Sequence, residues 1–232
     1  MKLTFTLPAF LPANPDVTTL AVEINQLVIA GWAGRDADAI MHHISELEAL
    51  GVPRPSAVPL FYRVAANQLT QNKKIEVVGT ETSGEAEVFI FTHQGEMYLS
   101  LASDHTDRQL ESHSVALSKQ VCVKPVATTA WRMSEVISHW DRLILRAWIK
   151  EQGEYRLYQQ GSLSSLRKPE DLLSRYLGGN AEPEEGMGMT CGTVAAIGGI
   201  RPAAEFRMEL VDEHLGRTIV HAYQSVELPV VC

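Results

Sequence analysis

Gly84-Glu85-Ala86-Glu87-Val88-Phe89-Ile90-Phe91 is the stretch that decides the fold, because it is a run of strand-forming residues that opens with two acidic side chains. Successive side chains of a strand point to opposite faces, so Glu85 and Glu87 share one face while Ala86 and Val88 occupy the other. Two neighbouring carboxylates repel each other unless water or a cation screens their charges. The stretch therefore predicts either a solvated strand face or the start of a cation site.

A second acidic segment, Ser103-Asp104-His105-Thr106-Asp107-Arg108, follows the next apolar run at 97–101. An all-oxygen set made of Glu85, Glu87 and Asp104 suits a hard divalent cation such as Mg²⁺, with Mn²⁺ or Ca²⁺ as alternatives. Strands hold ligands more rigidly than loops do, which favours a preformed site. We predict that these three carboxylates bind a metal ion.

The composition is that of a globular protein with a substantial core. The chain has 232 residues, of which 45% are hydrophobic and 21% charged, and its net charge is −8. An acidic chain without a basic stripe argues against nucleic acid as a partner. Short, interrupted apolar runs and the lack of a signal-peptide pattern predict a cytoplasmic protein with no membrane span. The cysteines are odd in number and lack paired metal-type spacing, which favours reduced thiols, and Cys122 and Cys191 are expected in the core.

The pattern along the chain predicts one β-rich domain spanning residues 1–232, without repeats or low-complexity linkers. Prolines and glycines separate the predicted elements, and Asp36 is the expected N-cap of the first helix. The chain is expected to turn away from the 155–158 strand at 159–166. Strands are predicted at 2–7, 27–31, 59–64, 74–79, 85–91, 97–101, 143–149, 155–158, 205–211, 218–223 and 225–231, and helices at 37–49, 133–139 and 169–176.

The first predicted helix carries a histidine beside a glutamate. His43 and Glu46 are three residues apart and share a helix face, so the carboxylate can orient the imidazole as a general base. A surface ion pair without catalytic role is the alternative. His42 is the rival base, but it lacks a carboxylate three residues on, since position 45 is a serine.

These signals occur in an order that resembles the fumarylacetoacetate hydrolase superfamily. Members of that superfamily share a glycine turn, His-x-x-Glu, Pro-Leu-Phe, Glu-x-Glu, Asn-Asp-x-x-x-Arg-Asp-x-Gln, a lysine and a Gly-Thr turn. The whole sequence is more similar to a bacterial branch beside this superfamily than to its named enzymes. The matching residues are Gly31, His43-Ile44-Ser45-Glu46, Pro59-Leu60-Phe61, Glu85-Ala86-Glu87, Ser103-Asp104-His105-Thr106-Asp107-Arg108-Gln109-Leu110-Glu111, Lys119 and Cys191-Gly192-Thr193.

The resemblance implies an α+β fold, a single domain whose mixed sheet curls into a roll with few flanking helices. It also implies a homodimer, and a lid formed by the helix of His43 and the connection from Pro53 to Pro59. Glu85, Glu87 and Asp104 would hold Mg²⁺, and a metal-chelated enolate would form from a small-molecule dicarbonyl or carboxylate substrate.

The resemblance also implies roles for the remaining residues. His43, aligned by Glu46, would be the base, and Lys119 would stabilise the developing oxyanion. Gly192 and Thr193 would contact a substrate carboxylate. Arg108 would bind a substrate acid group or form a structural ion pair with Asp107 or Glu111. For His105 a hydrogen-bonded structural role is expected, with an outer position at the metal as the alternative.

The sequence departs from the superfamily pattern at positions that would line the pocket. The usual lysine after Pro-Leu-Phe is Arg63, the asparagine before the aspartate is Ser103, the final glutamine is Glu111, and Val194 follows the Gly-Thr pair. The predicted function is a metal-dependent hydrolase that cleaves a C–C bond in a 2-oxo acid, acylpyruvate or β-diketone. A lyase or isomerase (decarboxylase, hydratase or tautomerase) with the same metal site is one alternative, and a non-catalytic small-molecule binding protein is another.

Overall fold

The computed structural model describes residues 1–8, 18–49, 54–179 and 184–231. Its helices are α1 (Ala37–Ala49), α2 (Arg108–Glu111), α3 (Val115–Val121), α4 (Met133–Val136) and α5 (Pro169–Tyr176). Its strands are β1 (Lys2–Leu7), β2 (Thr18–Glu23), β3 (Gln26–Gly31), β4 (Leu60–Val64), β5 (Leu69–Thr70), β6 (Lys74–Val78), β7 (Thr82–Ser83), β8 (Ala86–His93), β9 (Glu96–Ser103), β10 (Thr106–Asp107), β11 (Lys124–Pro125), β12 (Trp131–Arg132), β13 (Ile144–Glu151), β14 (Glu154–Ser162), β15 (Met187–Thr190), β16 (Glu205–Asp212) and β17 (Arg217–Leu228).

The strands form a mixed, mostly sheet architecture. A six-stranded sheet has the order β12-β9-β8-β15-β3-β4, and a five-stranded sheet has the order β14-β13-β16-β17-β6. The β3–β15 and β6–β17 pairs are parallel, and the other neighbours in these two sheets are antiparallel. This confirms the predicted α+β class with few helices. It does not confirm one sheet curled into a roll, because the strands divide into separate sheets, and a single domain over 1–232 stays a prediction.

Strand β8 is buried along nearly its whole length because the core packs on both of its faces. Ala86, Val88 and Ile90 belong to the larger hydrophobic cluster, which also contains residues of the five-stranded sheet. Phe89 and Phe91 belong to a second cluster, where Phe91 stacks on a ring of β1 with centroids 4.5 Å apart. A strand covered on both sides reads as a continuous apolar run, which is the pattern that the sequence shows after Glu87.

The helix ends follow from local side-chain chemistry. Asp36 Oδ1 accepts the amides of Asp38 and Ala39, each at 3.0 Å, which confirms the N-cap predicted for α1. Helix α5 has the predicted bounds, with proline in its first turn. None of the helices within the described ranges combines the length and the apolar character needed to cross a membrane.

Most predicted strands shift by one or two residues at their ends, and two depart further from their predicted bounds. Strand β14 continues to Ser162, so the turn expected at 159–166 is wrong at its start, because residues 159–162 pair with β13. The predicted strands 218–223 and 225–231 are one strand, β17, which pairs with β16 over its first half and with β6 over its second. Because the two halves of β17 have different partners, their patterns of buried and exposed side chains differ. From the sequence alone, such a change of pattern predicts two strands.

Several predicted features fall in the core or outside the described part of the chain. Cys122 and Cys191 are buried free thiols, as predicted. Residues 50–53, and with them Pro53 at the start of the predicted lid connection, lie outside the described residues, as does Cys232. The side chains of His43 and Glu46 likewise lie outside what the structure describes, although both residues are part of α1.

Candidate metal centre

The antiparallel pairing of β8 and β9 brings the three predicted ligands together. Ala86 pairs with Ser103 at the end of the ladder, and Asp104 donates its amide to the carbonyl of Glu85 at 2.9 Å. Glu85 and Asp104 therefore leave the sheet side by side. One ligand oxygen from each of Glu85, Glu87 and Asp104 lies within 4.8 Å of the other two.

Burial makes this cluster unlike a solvated acidic face. Glu87 and Asp104 are 3% and 1% exposed, and Glu85 is partly buried. Burial raises the pKa of Glu87 to about 8, and the charges of Asp104 and Glu85 add to the effect. The pKa of Glu85 is also raised, chiefly by burial. Carboxylates that resist ionisation in this way bind a cation favourably, because the cation removes their mutual repulsion.

Two lysines offset the negative charge at Asp104. Burial opposes ionisation of this aspartate, but Lys119 and Lys124 outweigh that effect and lower its pKa to about 2. Lys119, on α3, donates to Asp104 Oδ2, and its pKa is raised because the pairing exceeds the cost of burial. Lys119 thus lies at the cluster. In the structure it binds the carboxylate of Asp104, and its predicted role at a substrate oxyanion stays a prediction.

Sequence reasoning missed Lys124. Its side chain is fully buried, its Nζ lies 3.1 Å from Asp104 Oδ1, and it also donates to the carbonyl of His105. Burial lowers the pKa of this lysine, against the attraction of Asp104. A single lysine within the apolar run 121–126 was the available signal, since a buried charge requires a partner.

Arg108 donates hydrogen bonds to protein groups through Nε and Nη1, while its Nη2 only contacts a carboxylate. Its Nε donates to Ser83 Oγ at 2.7 Å, its Nη1 donates to Glu111 Oε2 at 2.8 Å, and its Nη2 lies 3.3 Å from Glu85 Oε1. This geometry is the structural ion pair with Glu111, one of the two alternatives that the sequence left open. Asp107, named with Glu111 in that alternative, instead caps α2 by accepting the amide of Leu110.

Gly192 and Thr193 support the cluster from the loop after β15. The Gly192 amide donates to Glu87 Oε2 at 2.9 Å, and the Thr193 hydroxyl donates to the carbonyl of Ala86 at 2.7 Å. Gln159, a second residue missed from the sequence, donates to both Thr193 Oγ1 and the carbonyl of Val194, and accepts the amide of Ala86. These bonds fix the start of β8 at Ala86, between the two glutamates.

A buried hydrogen-bond chain links the far strand β17 to the same segment. The hydroxyl of Tyr223 lies 2.8 Å from Ser103 Oγ and 2.9 Å from His105 Nδ1, and Ser103 Oγ accepts the amide of Glu85 at 3.2 Å. Burial, with the charges of Lys124 and Arg108, lowers the pKa of His105 to about 3, so this imidazole is neutral. Ser103, which stands where the superfamily has asparagine, takes part in this chain.

The predicted base and its rival both lie on α1. His42 is exposed on α1, and the side chains of His43 and Glu46 fall outside the described part of the structure. Arg63 is exposed on β4, with Nη1 3.3 Å from the hydroxyl of Tyr176. The identity of the base therefore stays a prediction.

The donor set fits a small divalent cation. Octahedral Mg²⁺ binds oxygens at about 2.1 Å, which places adjacent ligand atoms about 3 Å apart and opposite ones about 4 Å apart. Oxygens that already lie within 4.8 Å of one another reach this spacing by small side-chain shifts. Glu85, Glu87 and Asp104 would hold the ion, leaving its other positions for water or substrate.

The sequence matches a family model described as "Protein of unknown function (DUF2848)" over residues 30–223. No protein with a curated function matches the chain.

Three solved structures share this fold over nearly their whole length. A 2-keto-3-deoxyarabinonate dehydratase superposes with a TM-score of 0.65 at 14% identity, covering 99% of this chain and 100% of that one. A proposed fumarylacetoacetate hydrolase family protein from Yersinia pestis CO92 gives 0.60 at 16% identity, covering 89% and 95%. A proposed fumarylpyruvate hydrolase from Burkholderia cenocepacia gives 0.57 at 15%, covering 98% and 96%. The resemblance to the fumarylacetoacetate hydrolase superfamily is confirmed in the fold.

Proposed function

We propose, from the premise that the chain belongs to the DUF2848 family, that it is a metal-dependent enzyme acting on a 2-oxo acid, acylpyruvate or β-diketone. The observation that carries this proposal is the cluster of Glu85, Glu87 and Asp104 within 4.8 Å of one another, with two of the three buried. Arg108, Lys119 and Lys124 pair with Glu85 and Asp104, whereas buried Glu87 has no ion pair within the described residues, and a bound cation would offset its charge.

A bound Mg²⁺ would supply Lewis-acid stabilisation of enolate charge on a chelated dicarbonyl. The protein's own contribution is to hold the three carboxylates in place and to keep water away from Glu87 and Asp104. The charge of Lys119, which contacts Asp104, lowers the pKa of both glutamates, and Arg108 has the same effect on Glu85. Lys119 would therefore stabilise negative charge on a substrate oxygen bound at the cluster.

The reaction proposed first is hydrolytic cleavage of a C–C bond, with His43 as base and Glu46 orienting it. Lyase or isomerase chemistry on 2-oxo acids uses the same enolate and is the alternative. Similarly folded proteins include both a dehydratase and a proposed hydrolase, which fits either reaction. Hydrolysis differs from the lyase or isomerase reaction in that water attacks the substrate. The position of the base decides whether a water molecule is activated.

One observation favours a non-catalytic small-molecule binding protein as the second candidate. Arg108, Gly192 and Thr193, the groups expected to bind a substrate carboxylate, all bond to protein atoms, although Arg108 Nη2 makes no hydrogen bond. A ligand carboxylate would then have to rely on the metal ion, Lys119 and this one nitrogen of Arg108. A binding protein needs only those contacts, whereas an enzyme also needs a base.

An activity assay separates these candidates. The purified protein is stripped of metal and supplied with acylpyruvates or oxaloacetate, with and without Mg²⁺ or Mn²⁺. The proposal predicts metal-dependent turnover that Glu87→Gln abolishes and that His43→Ala reduces by about 10²- to 10⁴-fold. Ligand binding without turnover would support the binding protein, and light scattering on the same sample tests the proposed homodimer.

A further inference from the structure

The side chain of Tyr62, on β4, lies beside the acidic cluster without belonging to it. The centre of its ring is 5.6 Å from Nζ of Lys119, the lysine that also contacts Asp104. Burial raises the pKa of the Tyr62 phenol; the charge of Lys119 opposes this rise, and the charges of Glu111 and Asp104 add to it. The phenol is therefore a neutral hydrogen-bond donor within reach of the charges of the cluster.

The register of the six-stranded sheet places Tyr62 and Glu87 on the same face. Tyr62 pairs with Ile29 of β3, and Ile29 pairs with Thr190 of β15. Thr190 in turn pairs with Phe89 of β8. Residues paired across neighbouring strands project from the same face, and so do residues two apart along one strand. Because Glu87 precedes Phe89 by two residues, Tyr62 looks onto the same side of the sheet as the buried glutamate.

A glycine lets the ring of Tyr62 lean toward the cluster. A Cβ at Gly31, on the neighbouring strand β3, would lie 2.9 Å from Cε2 of Tyr62, so the ring covers this glycine. In the sheet order, β3 and β15 separate β4 from β8. Three strand spacings correspond to about 14 Å, and the tilt of the ring over β3 takes up part of that distance. Lys119 lies in the remaining space, between Tyr62 and Asp104.

The hydroxyl of Tyr62 contributes nothing to the packing that the ring provides. In the described part of the chain it has no hydrogen-bond partner, and it is not one of the buried polar atoms that lack one, so it reaches solvent. The hydroxyls of Tyr223 and Tyr176, by contrast, bond to protein side chains. A phenylalanine would fill the space over Gly31 equally well, which leaves the hydroxyl available for a ligand.

We propose that Tyr62 is a substrate-binding residue whose hydroxyl donates a hydrogen bond to an oxygen at the far end of the substrate. The site consequently favours 2-oxo acids that end in a second carboxylate or carbonyl group over those that end in a methyl group. This inference rests on the proposed function, since it requires the near end of a 2-oxo acid to bind at Glu85, Glu87 and Asp104. It adds a donor, on a separate strand, that discriminates among such acids.

Two ligands of equal chain length test this proposal. 2-Oxoglutarate ends in a carboxylate, whereas 2-oxopentanoate ends in a methyl group and cannot accept a hydrogen bond there. Each is titrated calorimetrically into the Mg²⁺-loaded parent protein and into Mg²⁺-loaded Tyr62→Phe. We expect the parent protein to bind 2-oxoglutarate more tightly. Tyr62→Phe should weaken 2-oxoglutarate binding by about 10- to 100-fold, the effect of losing one hydrogen bond to a charged group, and should leave 2-oxopentanoate binding unchanged.

Two controls separate ligand binding from a structural effect. Tyr155→Phe removes an exposed hydroxyl bonded to Glu205 and should leave the affinity for both ligands unchanged. Tyr62→Phe keeps the ring over Gly31 and beside Lys119, so its Mg²⁺ affinity and its urea unfolding midpoint should equal those of the parent protein. A merely structural role of the hydroxyl would alter the midpoint.

The outcomes distinguish this inference from the proposed function. Unchanged binding of 2-oxoglutarate by Tyr62→Phe, or equal weakening of both ligands, would overturn the role of Tyr62 and leave the metal-dependent function standing. A parent protein that binds 2-oxopentanoate as tightly as 2-oxoglutarate would overturn the selectivity, and this comparison needs no variant. Failure of the parent protein to bind Mg²⁺ or either ligand would overturn both.

Discussion

The amide of Gly192 donates a hydrogen bond of 2.9 Å to Oε2 of Glu87, which joins the loop after β15 to the more buried of the two glutamates. Gly192 has φ +88°, a left-handed conformation that aims its amide at the carboxylate. The sequence indicated Gly192 as a substrate contact, and the structure shows that this amide already has a partner. Its role in the described structure is to fix Glu87.

Substitution of Gly192 by alanine should destabilise the protein and weaken metal binding. A Cβ at this position would carry the strain of a positive φ and would meet the Ala33 side chain at 2.6 Å. We expect a loss of about 1–3 kcal/mol in the free energy of unfolding, measured in urea. Gly199→Ala is the matched control, since Gly199 has φ +85° with no atom near its Cβ position. Equal losses in the two variants would show that packing against Ala33 is unimportant.

Metal affinity should increase with pH. Glu87, with its pKa raised to about 8, is protonated in the metal-free protein at neutral pH and must lose that proton to bind an ion. The apparent dissociation constant should therefore fall by about tenfold for each pH unit up to about 8 and level off above. Titrations in buffers of different ionisation enthalpy measure the proton released. Affinity independent of pH between 6 and 9 would contradict the protonation of Glu87.

Removal of the Tyr223 hydroxyl should loosen the segment that carries Asp104. Tyr223→Phe leaves Ser103 and His105 without their shared buried partner, which typically costs about 1–3 kcal/mol. Tyr155→Phe, which removes an exposed hydroxyl bonded to Glu205, should have little effect on stability. Thermal unfolding of both variants measures the difference. Equal melting temperatures for Tyr223→Phe and Tyr155→Phe would exclude a structural role for the hydrogen-bond chain through Tyr223.

A second buried network should make the protein sensitive to acid. Burial opposes ionisation of Asp212, but bonds from His139 Nε2 and the Leu215 amide outweigh it and hold the pKa of the aspartate below its ordinary value. A lowered pKa stabilises the fold fully above the ordinary aspartate pKa of about 4, and that contribution is lost as the pH falls toward the lowered value.

Asp212→Asn should therefore remove about 2–3 kcal/mol of stability at pH 7, because the amide cannot satisfy the donors that the carboxylate accepts. The loss should shrink as the pH is lowered below about 4. Glu213→Gln, at the exposed neighbouring position, is the control and should leave stability unchanged. Urea unfolding across this pH range measures both variants. A constant difference between Asp212→Asn and the parent protein would rule out the lowered pKa.

Local patterns in the sequence predicted the elements that carry strong periodicity or caps. Helix α1 begins at Ala37 because Asp36 accepts its first free amides, and β8 is an apolar run because both of its faces are covered. Residues that act through a long-range partner were not predictable. Lys124 and Gln159 reach groups distant in the sequence, and no local pattern identifies such a partner.

The candidate ligands could be proposed because charge repulsion is visible in the sequence itself. Glu85 and Glu87 lie two residues apart on one predicted strand face. Asp104, as a third acid, and the order of the motifs along the chain then suggested a bound cation. The partners of Arg108 and Gly192 could not be proposed in the same way, since either residue can bond a ligand or the protein. The fold shows which protein groups they bond, Glu111 and Glu87, and a ligand contact by either residue stays a prediction.

The most direct test of a metal centre is calorimetric titration of Mg²⁺ or Mn²⁺ into the parent protein and into Glu87→Gln and Asp104→Asn. The parent protein should bind one ion per chain, and each variant should bind it at least about 10-fold more weakly. Equal heats in the parent protein and both variants, or no binding by any of them, would contradict a divalent cation held between Glu85, Glu87 and Asp104.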